Sequence, residues 1–396
     1  MRCDKSVVSL FCGCGGFDQG FKQSGYTCKS AYDIDLTALD IFNANIGNVG
    51  VKADLSEEDI VSNDIVGVDV LLSGSPCQGF STAGKRRHDD PRNQLMVKAG
   101  EIASKVKPKV FIAENVRGAL SGSHQEYWEQ LRNTLIRADY RCHDFVVDCR
   151  DLGMAQSRKR VIMVAWNTGK DVDFNLSKRT PQTLRQVLRG IPEDVQGHEK
   201  AYLAAGSDDY KIACQIDQGQ KLSNVRGGDR SVHTWDIPQV FGVTDELEKE
   251  LLDCIRIFRR RYRVREVGDA DPVSVERLEP LFDNVHDLIN GLVERKYLKL
   301  VGQDHVDLVN TFNGKYRRLE WAGSSYTVDT RFGNPKYFLH PEEHRGFTVR
   351  EAARIQGFSD QFVFSGNESA QYRMVGNAVP PPLSEALARI VHDILA

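Results

Sequence analysis

Within the first 168 residues, short apolar runs rich in β-branched residues recur between longer amphipathic segments, and this alternation narrows the fold more than any other feature. The runs at 7–11, 29–33, 68–73, 110–113, 143–147 and 161–166 have the length and composition of strands, and 35–45, 94–105 and 126–137 have the spacing of helices. Strands and helices in turn are how parallel strands and crossover helices look in sequence. The expectation is an α/β chain with a doubly wound, mostly parallel sheet, a fold that binds ligands beyond the carboxyl ends of its strands. Near residue 167 the alternation stops, and the chain becomes polar and irregular, then helical, which predicts a second, smaller domain. An amphipathic segment returns at 383–395. A length of 396 residues, beyond the size at which a single core usually keeps growing, agrees with more than one domain.

Nine cysteines without CxxC spacing argue for reduced thiols and against a disulfide or zinc framework, so no metal is expected. The N-terminal residues lack a long apolar core, and no run approaches the roughly 18 apolar residues of a membrane span. The expectation is a cytoplasmic protein with no membrane partner. A net charge of −3 does not itself point to nucleic acid, but the basic residues cluster at Lys85-Arg86-Arg87, at Arg158-Lys159-Arg160 and in the run 256–265.

The first strand ends in Phe11-Cys12-Gly13-Cys14-Gly15-Gly16, where glycines permit a tight turn and a close backbone approach to a ligand. A nicotinamide-binding GxGxxG counted from Gly13 fails, because Asp18 stands where glycine is required. Asp33-Ile34 ends the second strand, offering a carboxylate for ribose hydroxyls and an apolar side chain for an adenine. Asp54 follows a third short strand and is placed to accept from an exocyclic amine. A glycine turn with two strand-end acids suggests a nucleoside-bearing cofactor; singly, each acid also reads as a helix cap or loop carboxylate.

Cys77, in Ser75-Pro76-Cys77-Gln78, reads alone as a small buried hydrophobe. Glu114 follows another strand of the same expected sheet. Together a thiol and a carboxylic acid suit attack on an electron-poor ring, sulfur adding to carbon while the acid protonates a ring nitrogen. Arg158 and Arg160 offer the positive charge that lowers a thiol pKa, or else form a solvated basic loop.

These residues resemble the motifs of the bacterial-type DNA (cytosine-5) methyltransferases. Phe11 to Gly16 is similar to the cofactor loop, Ser75-Pro76-Cys77-Gln78 to the nucleophile motif, Glu114-Asn115-Val116 to the acid motif and Gln156-x-Arg158-x-Arg160 to the paired-arginine motif. Arg350-Glu351-Ala352-Ala353-Arg354-Ile355-Gln356-Gly357-Phe358 and Gly376-Asn377-Ala378-Val379-Pro380 resemble the two C-terminal motifs, in the family's order. Ala155 and Ser359 stand where the family usually has proline, and Ser9 where some members have aspartate.

The resemblance implies an S-adenosylmethionine-dependent methyltransferase fold, with S-adenosyl-L-methionine as methyl donor and double-stranded DNA as substrate. It further implies a monomer belonging to a restriction-modification or other defence system. A transfer RNA cytosine-5 methyltransferase with the same chemistry is the alternative. By analogy Cys77, Glu114, Arg158 and Arg160 carry the chemistry, and Gln78 and Ser81 lie in the DNA-facing loop. The cofactor would meet Phe11, Gly13, Gly15, Gly16, Asp33, Ile34, Asp54, Leu55, Gly74, Pro76, Leu95 and Asn377. The implied catalytic domain spans 1–168 and 370–396, and a target recognition domain spans 169–369.

Inside that second domain, 244–261, 275–282 and 284–296 read as helices and 297–301 and 305–309 as a hairpin, a pattern similar to a winged helix over 244–312. A plain three-helix packing unit fits the same pattern. Arg256, Arg259, Arg260 and Arg263 are candidate phosphate contacts, or a solvated face.

Overall fold

The computed structural model describes residues 5–57, 60–62, 65–76, 90–266, 268 and 270–396. The chain forms two compact units, one reaching Glu199 and including Ala322–Arg331 and Thr348–Ala396, the other made of Lys200–Trp321 and Phe332–Phe347.

The first unit is built on a seven-stranded sheet. Strands β1 (Ser6–Leu10), β2 (Thr27–Asp33), β3 (Gly50–Lys52), β4 (Val70–Ser73), β5 (Val110–Val116), β6 (Arg141–Asp148) and β7 (Lys159–Trp166) lie in the order β3-β2-β1-β4-β5-β7-β6. Neighbours are parallel except at β7, which runs antiparallel to β5 and β6. From β1 the chain winds outward to β3, then restarts at β4 and winds the other way, so the loops after β1 and β4 part and leave a crevice.

Both faces of this sheet are covered. Val7, Val70, Leu72, Ile112 and Val164 face one layer, and Val8, Leu71, Phe111, Val161 and Met163 the other. Burial on both sides is why these strands read as continuous apolar runs. Helices α1 (Gly16–Gln23), α2 (Leu36–Asn45), α3 (Gln94–Val106), α4 (Gln125–Arg137) and the short α5 (Leu184–Leu188) follow in order. Met96, Ile102 and Trp128 carry α3 and α4 onto the second layer.

The second unit holds α6 (Asp208–Cys214), α7 (Pro238–Phe241) and a small sheet of β8 (Lys221–Ser223), β9 (Ser231–Val232) and a later strand, β13 (Asn313–Lys315). Between them lie α8 (Glu246–Arg261), β10 (Val273–Ser274), α9 (Val285–Glu294) and the hairpin β11 (Leu298–Val301) and β12 (His305–Leu308). Asp245 caps α8 by accepting from the Glu248 N–H, and Glu248 accepts in return from the Asp245 N–H. β10 adds to the hairpin beside β12, giving the order β10-β12-β11 around Leu251, Ile255, Ile289, Leu292 and Val306. The helix expected at 275–282 is instead a 3₁₀ turn, Val275–Arg277, with irregular turns after it. Pro280 explains the difference, because it lacks an N–H and crowds the carbonyl four residues back. A last pair, β14 (Arg317–Arg318) and β15 (Phe338–Leu339), is parallel.

The chain ends in the first unit with α10 (Val349–Gln356), α11 (Glu368–Asn377) and α12 (Pro381–Leu395). A Cβ at Gly20 of α1 would fall 2.4 Å from the Glu385 nitrogen and 2.6 Å from the Pro381 oxygen of α12, so the two helices meet backbone to backbone. The first unit also takes in 169–199, 322–331 and 348–369, beyond the boundaries expected at 168 and 370. Side chain to backbone bonds hold these segments: Arg354 donates to the carbonyls of Val187, Arg189 and Gly190, and Arg350 to those of Gln196, Ser359 and Phe362. Among the described residues no helix is long and apolar enough to cross a membrane.

Candidate active site

The crevice between β1 and β4 is a cavity of about 590 Å³ whose walls come entirely from the first unit. Its first wall is the turn after β1. Phe11 and Gly13 have positive φ, 53° and 54°, and the Gly13 N–H donates to Asp33 Oδ2 at 2.8 Å. Asp33 Oδ1 accepts from the Asp35 N–H at 2.9 Å, so one carboxylate ties the ends of β1 and β2 together while still lining the cavity. Burial pushes the Asp33 carboxyl above its ordinary range, against the lowering effect of those two N–H groups. Ile34 is 58% exposed and gives the cavity an apolar rim beside the acid.

Asp54 and Leu55, after β3, extend that wall. Asp54 Oδ1 accepts from the Ser56 hydroxyl at 2.6 Å and the Ser56 N–H at 3.0 Å, and these bonds hold its carboxyl below the usual range. Gly16, Gly74, Pro76, Leu95 and Asn377 also line the cavity. Gly15 turns elsewhere: with φ 91°, its missing Cβ would overlap Ile46 at 2.6 Å and Phe42 at 2.9 Å.

The other end of the cavity is polar and charged. Glu114 near the end of β5 and Arg160 on antiparallel β7 are both buried, and Arg160 Nε lies 2.7 Å from Glu114 Oε1. The register, Glu114 opposite Ile162 and Val116 opposite Arg160, puts both side chains on one face of the sheet. Asn115 points to the opposite face and donates to the Ser75 carbonyl and hydroxyl at 3.2 and 3.3 Å, which fixes the strand end against the residues preceding Cys77. The acid motif thus has an anchoring member that the sequence reading did not single out.

Arg158 lines the cavity too, yet it is only 2% exposed and its donors go to backbone: Val328 at 3.0 Å, Gly376 at 3.1 Å and Ala378 at 2.9 Å. It positions the segment that carries Asn377. Gln156 works beside it, donating to the Ile355 carbonyl at 3.0 Å and accepting from the Val328 N–H at 3.2 Å. Arg92, Arg373 and Asp18 are further polar lining residues not anticipated in the sequence. Cys77, Gln78 and Ser81 lie outside the described residues, although Pro76 before them and Pro91 after them both line the cavity. No group of three or more metal-ligating side chains occurs among the described residues.

In the second unit, the arginine run divides. Arg259 is 7% exposed and paired with Asp307 at 2.5 Å, which takes it out of any row that a phosphate could reach. Arg256 pairs with Asp253 at 2.7 Å, and Arg263 donates to the Gly268 carbonyl while staying exposed. Arg260 and Arg261 are exposed and make no ion pair among the described residues.

A ligand with a nucleoside at one end would meet an apolar rim and two carboxylates, and a planar base would meet an acid paired with a guanidinium. Known proteins of this kind are extensive matches. Type II methyltransferase M.HgiBI of Herpetosiphon aurantiacus is 28% identical over 98% of this chain and 96% of its own length. Type II methyltransferase M.DdeI of Desulfomicrobium norvegicum is 27% identical over 97% and 87%. The solved structure of an E. coli prophage protein described as a DNA modification methyltransferase shares the fold, with TM-score 0.60, 23% identity and 99% of each chain covered. The model of the family described as C-5 cytosine-specific DNA methylase matches residues 5–392, and the chain belongs to that family.

Proposed function

We propose that the cavity of the first unit holds S-adenosylmethionine, the methyl donor of this family, and that Cys77, Glu114 and Arg160 act on a cytosine brought beside it. DNA (cytosine-5) methyl transfer itself comes with the family. The residue assignment is carried by one observation, the buried Glu114–Arg160 pair at 2.7 Å on the wall of the cavity that Asp33 and Ile34 line. Asp33 accepts from the ribose hydroxyls, Ile34 and Phe11 flank the adenine, and Asp54 takes its amine. Gly74, Pro76, Leu95 and Asn377 complete the enclosure. When bound, S-adenosylmethionine supplies an electrophilic methyl group.

The target cytosine must leave the duplex, at a cost of a few kcal/mol that protein contacts offset. The Cys77 thiolate adds to C6 of the ring. As the C6–S bond forms, the C5=C6 π pair shifts to C4–C5 and Glu114, which also binds the exocyclic amine, delivers a proton to N3, giving a neutral enamine whose C5 is nucleophilic. Arg160 holds Glu114 in place and faces the base carbonyl. After methylation, loss of the C5 proton and elimination of Cys77 restore the aromatic ring. Arg158 contributes by fixing the Gly376 to Ala378 backbone.

Bisulfite sequencing of DNA from cells expressing the protein is expected to show 5-methylcytosine at one recurrent sequence. A methyl-transfer assay comparing duplex DNA with transfer RNA distinguishes the RNA-acting alternative, and transfer to RNA alone would overturn the DNA reading. The curated relatives are type II methyltransferases, which supports a companion restriction enzyme. Asp33→Ala is expected to weaken S-adenosylmethionine binding by about 1.5–3 kcal/mol, the range for hydrogen bonds to a charged group. Calorimetric titration with unchanged affinity would remove Asp33 from the site.

The second unit is proposed to read the target sequence, with the winged-helix order of α8, β10, α9 and the β11–β12 hairpin as an inserted module. Its phosphate contacts are assigned to the exposed Arg260, Arg261 and Arg263, with Arg256 and Arg259 bracing the module. Replacing Arg260 and Arg263 by glutamine is expected to weaken binding to all DNA sequences alike. Removing each arginine–phosphate interaction should flatten the log-log salt dependence by about one unit. An unaltered salt slope would return the run to a solvated face.

A further inference from the structure

Asp18 stands in the first turn of α1 and is 2% exposed. Carboxylates at that depth normally have every oxygen partnered. Here Oδ1 accepts from the Ser9 hydroxyl at 2.5 Å, with Cys28 Sγ 3.7 Å away, while Oδ2 has no hydrogen-bond partner among the described residues. The side chain lines the cavity, with the unsatisfied oxygen buried just beneath its surface. A buried carboxylate lacking a partner is costly in the empty protein and becomes favourable when a cation reaches it.

We propose that Asp18 is the counter-ion of the α-ammonium group of the bound ligand, with Ser9 holding its other oxygen in place. The assignment rests on the reading of the cavity as an S-adenosylmethionine site, since that molecule carries an ammonium at the end remote from its nucleoside. Asp33 and Ile34 then govern the nucleoside end, and Asp18 governs the amino-acid end. A charge at this point also accounts for the residue that breaks the dinucleotide glycine pattern, because a glycine at 18 would leave the ammonium without a fixed anion.

The surroundings favour Asp18 as the titrating group. Burial pushes its carboxyl up to about 6, with the Ser9 hydroxyl drawing it down. Cys12 and Cys14 from the turn and Cys28 from β2 are pushed up by burial and stay neutral near pH 7. Asp33, from the end of β2, is the other carboxylate facing this turn, and burial raises it as well. An ammonium favours the ionised form of Asp18, so binding releases a proton at pH values near 6 and affinity falls as the pH drops through that region.

The test is calorimetric titration of the full chain with S-adenosylmethionine, S-adenosylhomocysteine and 5′-methylthioadenosine, the last having the nucleoside and thioether but no ammonium. Asp18→Asn is expected to weaken the first two by about tenfold to a hundredfold and the third by less than about twofold. In the wild type the affinity ratio of S-adenosylhomocysteine to methylthioadenosine should fall between pH 7 and pH 5, and in the variant it should stay flat. Using that ratio cancels the titration of Asp33, which both ligands share. The exchange Ser9→Asp with Asp18→Ser returns a carboxylate to the same contact and is expected to recover most of the loss. Equal weakening of all three ligands would make Asp18 a structural residue and overturn the proposal, as would an unchanged affinity for S-adenosylhomocysteine. A loss confined to S-adenosylmethionine would put the sulfonium, not the ammonium, against Asp18 and also overturn it. Failure of the wild type to bind methylthioadenosine while binding S-adenosylhomocysteine would leave Asp18 in place and count against the nucleoside contacts assigned to Asp33 and Asp54.

Discussion

Cys77→Ser is expected to lower methyl transfer by more than about a thousandfold while leaving S-adenosylmethionine affinity within about twofold. A serine hydroxyl ionises too weakly to add to a pyrimidine ring, whereas a cysteine is already a few per cent thiolate at neutral pH. Arg158 and Arg160, which line the same cavity as Glu114, are the cations proposed to favour the thiolate. The cofactor contacts assigned to Asp33, Ile34 and Asp54 sit on other strands, after β2 and β3, and should not register the change. Transfer of labelled methyl groups to duplex DNA, read beside a binding titration, checks both halves. Substantial turnover by the variant would take the nucleophile's role away from Cys77.

How much of this was legible in the sequence depends on what holds each part together. β1, β4 and β5 were legible because both faces of each are buried, which forces continuous apolar runs such as Val70-Leu71-Leu72. Glu114 was legible for the same reason, since an apolar run that stops at an acid announces a change of environment, whereas Asp33 ends a strand, TCKSAYD, with little apolar run before it. Segments without such a run carry no comparable signal. Residues 169–199 and 348–369 pack in the first unit through Arg350 and Arg354, whose guanidiniums reach backbone carbonyls far away in sequence. A bond of that kind needs no particular residue at the accepting end and so leaves no pattern to read.

The arginines show the same limit from the other side. Arg158 and Arg160 stand two apart on one motif, and the sequence could not tell that one pairs with an acid while the other clamps three carbonyls. Within the run 256–265, helical spacing alone does not say that Arg259 faces Asp307 of β12. Partner identity is set by tertiary packing, and it decides which cations remain for a phosphate. Asp18 was visible only as a residue that spoiled a glycine pattern; its unpartnered oxygen is a property of the folded chain.

Glu114→Gln is the second change expected to be severe, with turnover reduced by about 10²–10⁴-fold. The amide matches the carboxylate in shape and keeps an oxygen beside Arg160 Nε, so the contact at 2.7 Å should persist without its ionic character. What the amide cannot do is deliver a proton to N3, and without it electron density accumulates on the ring as Cys77 adds. The substitution also leaves the buried Arg160 charge without its counter-charge. Complete loss of a partner in a buried pair costs about 3–5 kcal/mol, and retention of a polar oxygen beside the guanidinium should hold the loss of stability below that range. Thermal unfolding measures this separately from catalysis. A variant that unfolds within a few degrees of the wild type, binds S-adenosylmethionine normally and yet turns over at least a hundredfold more slowly places Glu114 in the chemistry. If turnover instead stayed near the wild-type rate, the Glu114–Arg160 pair would be a device for joining β5 to β7, and the acid would have to be sought elsewhere along the cavity wall.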